Sequence, residues 1–235
     1  MNIVQNLDFL TAFREISPLL LEGIGTVVGA TVCGFTLALI LGTVIALGRM
    51  LKIKWVNFIL VIFLEIIRGT PLLVQLVYMY YVMPLLISLI GQIWIADYQF
   101  NLSPFLAGAI GLGINYGCYL SEVIRSAISS IDRGQTEVAL ALGYTHRQAL
   151  WSIVIPQAAR VALPTLGNYI IMMIKDTSLL AFITVSELLL RTQAYASQTF
   201  LTIESYTILA GAYLILSLPL AQFVRLLERR LMRHV

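Results

Sequence analysis

Charge is scarce in this chain. Lysine, arginine, aspartate and glutamate make up 11% of its 235 residues, and 59% of the residues are hydrophobic. A soluble domain carries roughly a quarter charged residues. With a mean hydropathy of +0.89, the composition excludes an ordinary soluble globule and predicts a multi-span helical membrane protein. Cysteine is nearly absent. Cys33 and Cys118 stand far apart inside apolar runs, which leaves no disulfide framework or metal spacing and predicts two small buried residues. Histidine is as rare: His146 and His234 have no neighbouring ligands to complete a metal set, and both are expected to be solvated or interfacial. No G-x-x-x-x-G-K-[ST] loop occurs, because Lys52, Lys54 and Lys175 follow Leu51, Ile53 and Ile174, never glycine. The chain is therefore not expected to hydrolyse ATP. Its first residues lack a basic start and a small-residue cleavage site, so no removed signal peptide is expected. No nucleic-acid-reading module is visible either.

What is present is a series of apolar runs. Residues 1–18 read as a short amphipathic approach, with Phe9, Phe13 and Ile16 on one side, ending at Pro18. Gly23 to Gly48 carries no charge and exceeds the ~20 residues that a span requires. Within it Ala30, Gly34, Ala38, Gly42 and Ala46 recur every four residues, a stripe that admits a close neighbouring helix. A second run from Trp55 carries Glu65 and Arg68, three apart, before Gly69-Thr70-Pro71. Either the pair faces a cavity in the bundle or residues 55–68 form a helix on the cytoplasmic side; an intramembrane ion pair would imply function. Tyr78, Tyr80 and Tyr81 suit an interfacial belt, and Pro84 to Ser103 reads as a loop.

Leu102 to Ser121 is the next uncharged run, with Gly113 and Gly117 at GxxxG spacing around Asn115, closed by Glu122 and Arg125. Val161 to Ile174 precedes Lys175-Asp176. That span ends there, or it continues to about Ser186 with the Lys–Asp pair buried and mutually neutralised. Residues 187–204 read as a polar connection, and Ser205 to Val224 as the last clean span. The count is about five spans. Arg49, Lys52, Lys54, Arg125, Arg133, Arg147, Arg160, Arg225, Arg229, Arg230 and Arg233 fall on one side. The positive-inside rule makes that side cytoplasmic, with the N-terminus outside and the C-terminus inside.

Between the third and fourth spans lies a polar elbow, residues 132–157. Asp132 or Thr136 can start a first helix and Gly143 can end it, since glycine tolerates positive φ. Thr145 with Gln148 offers a capping box for a second helix, and Pro156 predicts a bend.

The elbow carries a family resemblance. Glu137, Ala139, Gly143, Ile153 and Pro156 match the pattern EAA-x3-G-x9-I-x-LP of ABC-importer permeases, with Val138 in place of the middle alanine and Ile155 in place of leucine. Arg68-Gly69-Thr70-Pro71 and Lys175-Asp176-Thr177-Ser178-Leu179 resemble the polar amino-acid subfamily, the histidine/glutamine permease type. The similarity runs from about Gly23 to the C-terminus. It implies an all-α permease fold over residues 1–235: about five transmembrane helices with a cytoplasmic coupling helix, in a bacterial inner membrane. It also implies import of polar amino acids, with selectivity resting largely in a separate extracytoplasmic binding protein. Two permeases, identical or homologous, would pair above two ATPase subunits, which would bind the ATP and magnesium; this chain would hold no cofactor. Glu137, Val138, Ala139, Leu142, Gly143, Ile153 and Pro156 would dock the ATPase. Substrate-path candidates are Glu65, Arg68, Asn115, Glu122, Lys175 and Asp176, since an amino acid needs an acceptor for its ammonium and a donor for its carboxylate. The same charges could instead pair as Glu65–Arg68, Glu122–Arg125 and Lys175–Asp176 and brace the bundle. A secondary transporter would carry more spans and internal repeats. A membrane enzyme would show a His, Asp or Cys constellation.

Overall fold

The computed structural model describes residues 7–51 and 53–231; Lys52, Arg233 and His234, to which the sequence assigns a side or an environment, lie outside the described residues. Among the described residues the fold is helical throughout. Helix α1 (Phe9–Met50) is followed by α2 (Lys54–Arg68), and then by a single rod of α3 (Leu72–Val77), a π-helical turn (Tyr78–Val82) and α4 (Met83–Gly91). Helix α5 (Pro104–Ser129) leads to the elbow helix α6 (Arg133–Ala141). A second rod joins α7 (His146–Ala149), a π turn (Leu150–Val154), α8 (Ile155–Asp176) and a 3₁₀ stretch (Thr177–Ile183). The chain closes with α9 (Leu188–Thr199) and α10 (Thr202–Leu231). Among the described residues four helical stretches are long and apolar enough to cross a membrane: Phe9–Met50, Leu72–Gly91, His146–Ile183 and Thr202–Arg230. Helix α5, with 26 residues, is about 39 Å long and is the most buried helix of the bundle, but it is not one of these four, against the expected count of about five.

The small-residue stripe does what its spacing predicts. Ala30, Gly34, Ala38, Gly42 and Ala46 are all buried, and α1 and α5 form the most extensive helix pair in the chain. The approach is close at Gly42, where an added Cβ would lie 3.0 Å from the Gly117 carbonyl oxygen and 3.0 Å from Leu120 Cβ. The GxxxG spacing of α5 faces the same seam, since a Cβ on Gly113 would meet Leu37 and one on Gly117 would meet Leu41.

Prolines misled the boundaries at three places. Helix α1 does not begin after Pro18 but runs through it from Phe9, capped by Asp8, whose carboxylate accepts from the Thr11 N–H at 3.0 Å. A proline inside a helix costs about 3 kcal/mol. Here the packing of Ala12, Ile16 and Leu20 against Leu188, Tyr195 and Leu209 offsets it, and Phe9 and Phe13 face outward instead. Pro84 likewise opens no loop, because the helix continues to Gly91. Pro156 does not close the elbow, because the second elbow helix is the start of the span itself. In both cases a π turn precedes the proline: the Met83 N–H bonds to Tyr78 O and the Ile155 N–H to Leu150 O. The widened turn accommodates the ring and the missing N–H that would clash with a regular α register.

Two further expectations change. Residues 187–204 are not merely a polar connection. Glu187 is fully buried and caps α9 by accepting from the Leu189 and Leu190 N–H groups at 2.8 Å, while the Tyr213 hydroxyl donates to it at 3.0 Å. Cys118 is buried as expected, but Cys33 is exposed.

The two ends of the molecule are distinct. The Asp8 N–H donates to Glu204 at 3.0 Å, which brings the starts of α1 and α10 together. At the other end Met50, Ile128 and Ser129 meet the elbow residues Arg133, His146 and Leu150 around one cavity.

Candidate functional site

Helix α2 does not lie apart from the bundle. It returns antiparallel along the end of α1, with Leu60 against Gly48 and Leu64 packed between Ile45 and Cys118. This carries its last turn to α5, where Glu65 stays largely exposed rather than facing a cavity. Arg68 Nη2 bonds Glu65 at 2.7 Å, and its Nη1 lies 3.8 Å from Glu122. Glu122 accepts from Arg49 and, at 2.9 Å, from Arg125. One carboxylate thus stands among three guanidinium groups drawn from α1, α2 and α5. The pairs Glu65–Arg68 and Glu122–Arg125 form as the three-residue spacing allows. The participation of Arg49, distant in sequence, was not foreseen.

Just beyond this hub the chain breaks at Gly69-Thr70-Pro71, and the break forms one wall of a cavity of about 350 Å³ whose lining mixes apolar and polar groups. Its other walls are Asn115, Tyr116 and Tyr119 on α5 and Tyr169, Met172 and Asp176 on α8. Tyr116 donates its hydroxyl to Asp176 Oδ2 at 2.6 Å, a short charge-assisted bond. Tyr169 stacks near Tyr119 with ring centroids 6.2 Å apart and meets Tyr116 edge-on at 6.1 Å. Among the residues lining the cavity, Asp176 alone carries a formal charge.

Gln75, which sequence reasoning passed over, ties the break to α5. Its amide Nε2 lies 2.6 Å from Ile67 O, 3.0 Å from Thr70 O and 2.8 Å from Thr70 Oγ1. Its Oε1 accepts from Asn115 Nδ2 at 2.9 Å. The carbonyl groups freed where the helix ends are thereby satisfied within the bundle, as the membrane interior demands.

Of the six path candidates, then, Asn115 and Asp176 meet at the cavity, whereas Glu65, Arg68 and Glu122 belong to the hub. Lys175 is exposed and forms no ion pair among the described residues, so the mutual neutralisation of Lys175 and Asp176 does not occur. Adjacent helical residues point about 100° apart, and Asp176 has turned to Tyr116. The missed tyrosines did leave a signal. Asn115, Tyr119 and Glu122 share one face of α5, and Tyr169, Met172 and Asp176 share one face of α8.

The elbow is built largely as its local signals predict. Asp132 caps α6 by accepting from the Gly134 N–H at 2.6 Å. Gly143 takes φ +87, with Tyr144 N–H to Ala139 O and Gly143 N–H to Leu140 O both at 3.0 Å, the paired bonds of a Schellman ending. Thr145 and Gln148 complete the capping box in both directions. Glu137, Val138 and Leu142 are exposed, the last two at 61% and 74%. Ala139 is the exception to the anticipated outward face: it is fully buried, and its side of α6 packs on the π turn. Ile153 is half-buried and Pro156 exposed.

Comparison with known proteins accords with this architecture. The family model of the binding-protein-dependent transport system inner membrane component matches residues 38–233. The glutamine transport system permease protein GlnP of Escherichia coli is 34% identical over 214 residues, covering 91% of this chain and 93% of that protein. The L-cystine transport system permease protein TcyB of Bacillus subtilis is 35% identical over 219 residues, covering 93% and 88%. A crystal structure of an amino acid ABC transporter with histidines matches with a TM-score of 0.82 at 34% identity, over 96% of this chain and 99% of that one. The methionine transporter MetNI in an inward-facing conformation, at 15% identity and a TM-score of 0.64, shares the fold. Permeases of this kind work in general with a separate ATPase and a binding protein. The chain belongs to the inner membrane components of binding-protein-dependent transport systems: it is an integral membrane permease subunit of an ABC importer, and not itself an enzyme.

Proposed function

We propose that this permease passes polar amino acids through the cavity between Thr70, Asn115, Tyr119 and Asp176. The observation that carries the reading is the Asp176–Tyr116 pair in a cavity that holds no cation among its lining residues. Tyr116 engages one carboxylate oxygen, leaving the other to accept from a substrate ammonium. The second Asn115 amide proton and the Tyr119 hydroxyl supply donors for the carboxylate, while the Thr70 hydroxyl is spent on Ile66 O at 2.9 Å. The names of the relatives, which specify glutamine and cystine transport, support an amino-acid cargo. Glu65, Arg68 and Glu122 act as a brace beneath the cavity rather than as substrate ligands, since each is already engaged with an opposite charge. Lys175 has no part in this reading.

The exposed Glu137, Val138 and Leu142, shaped by Gly143 and set on the rod that contains Ile153 and Pro156, seat the ATPase subunit. That subunit binds the ATP and magnesium and moves the rod when it closes. Two permeases, identical or homologous, stand above two ATPases in the bacterial inner membrane. The elbow and C-terminus are cytoplasmic, and the N-terminus lies outside, facing the binding protein. The deciding experiment is calorimetric titration of a panel of amino acids into the purified permease–ATPase complex without binding protein. Wild type binds polar amino acids, and Asp176→Asn weakens them about tenfold or more, the worth of a charged hydrogen bond. Unchanged affinity in Asp176→Asn would refute the assignment of the cavity.

A further inference from the structure

Two other cavities share the wall residue Ile128 near the end of α5. The first, about 230 Å³, is walled by α1, α5 and α8 through residues such as Leu39, Leu47, Ile124, Ala159 and Leu166. Its one hydroxyl, on Thr43, donates to Leu39 O at 2.7 Å, so apart from the Trp151 indole the wall is apolar. Trp151, 56% exposed, stands on the same wall. The second cavity, about 460 Å³, shares Ile128 with the first and is bounded by Met50 and Ser129, the last residues of α1 and α5. Arg133, His146 and the hydroxyls of Ser129 and Thr136 line it, and no lining residue is a carboxylate. The carboxylate next in sequence, on Asp132, is turned onto the Gly134 N–H at 2.6 Å.

An apolar slot between helices that shares a wall residue, Ile128, with a cationic, hydroxyl-bearing chamber at the helix ends fits an amphiphile. A soluble anion would use only the chamber. A transmembrane helix of a second copy would leave the guanidinium uncompensated. We propose that the paired cavities hold one anionic phospholipid, with an acyl chain between α1, α5 and α8 and its phosphate against Arg133 and His146. Trp151 marks the boundary between the two, as aromatic side chains do at membrane interfaces, and a basic chamber between helix ends is suited to an anionic head group. Arg133 opens α6, so the bound lipid would fasten the start of the elbow to the ends of two helices.

Native mass spectrometry of the assembled transporter, extracted from vesicles of phosphatidylcholine and phosphatidylglycerol in equal parts, reads the lipid directly. Wild type is expected to retain phosphatidylglycerol over phosphatidylcholine. Arg133→Gln should lower that retention about fivefold, the worth of one basic residue at a membrane surface, and Arg133→Lys should restore most of it. Ala159→Phe, which fills the slot from an exposed position, should abolish it. Size-exclusion of each variant with its ATPase separates loss of lipid from failure to assemble; if Ala159→Phe does not assemble, the Gln and Lys variants at Arg133 still decide. Equal retention by wild type and variants overturns the proposal, as does displacement by inorganic phosphate alone. So does a wild-type complex that carries no phosphatidylglycerol, the result expected if the ATPase or a second permease fills the space.

Discussion

Replacing Gln75 with leucine removes an amide that holds the broken helix to α5 while nearly preserving side-chain volume. The amide Nε2 has two protons and three acceptors in reach, on Ile67 and Thr70, so two bonds are made at a time; Oε1 accepts a third from Asn115. Three hydrogen bonds at about 1 kcal/mol net each set the ceiling near 3 kcal/mol. Thr70 and Asn115 border the cavity, and water recovers part of their bonding, which leaves about 2 kcal/mol, or roughly thirtyfold in a population. The cost falls on organisation. A smaller fraction of molecules holds Thr70 and Asn115 in place together, and apparent affinity drops by that fraction. Titration of an amino acid into the permease–ATPase complex should show Kd rising about thirtyfold in Gln75→Leu, with basal ATPase activity unchanged. Gln75→Glu keeps the acceptor for Asn115 but loses the donors, and should fall between. A leucine variant that binds as wild type does would show that Gln75 does not organise the cavity.

Three more outcomes can be checked. A Cβ at Gly143 meets nothing within 4 Å, so Gly143→Val costs backbone strain alone, about 1–2 kcal/mol at φ +87; it should weaken ATPase binding about tenfold, whereas Gly143→Asn, which tolerates that conformation, should bind nearly as wild type does. Glu122→Gln removes the carboxylate shared by Arg49 and Arg125, whose side chains are 18% and 38% exposed. That burial places the loss between surface and buried pairs, about 2 kcal/mol; thermal unfolding should move down accordingly, and adding Arg125→Gln should recover part of it. Gly42→Ala crowds the seam against Gly117 and Leu120 and should destabilise by about 1–3 kcal/mol, whereas Gly25→Ala, facing open space, should stabilise by about 1 kcal/mol. Denaturation of the two variants side by side tests both signs.

Features set by neighbours in sequence were legible. The capping box at Thr145–Gln148, the glycine ending at Gly143 and the four-residue stripe along α1 each depend on a few adjacent side chains, and each appears as expected. Features set by distant partners were not. Arg49 and Glu122 are 73 residues apart, and Tyr116 and Asp176 are 60 apart; only the packing of α1, α5 and α8 brings them together. The same remoteness explains the misread boundaries. Proline rules consider one turn, yet Pro18 is overridden by contacts with α9 and α10. Residues 187–204 read as a polar connection, but Glu187, Thr192 and Glu204 are buried because partners from other elements or their own helix satisfy them.

The π turn at Leu150–Val154 bears on how force would travel. The elbow's second helix and the membrane span are one shaft from His146 to Ile183, about 57 Å long, so displacement at its foot needs no loop to relay it. A rigid shaft would deliver the whole stroke to the cavity wall at Tyr169 and Asp176. The five-residue π turn, followed by Pro156, lacks the regular hydrogen-bond ladder at one level, the kind of interruption at which helices bend. Compliance is thereby placed below the cavity, at this collar and at Pro164, which removes a further ladder bond inside α8. The segment above them can rotate as a unit, and the angle between foot and shaft can change without unwinding the helix that carries Asp176.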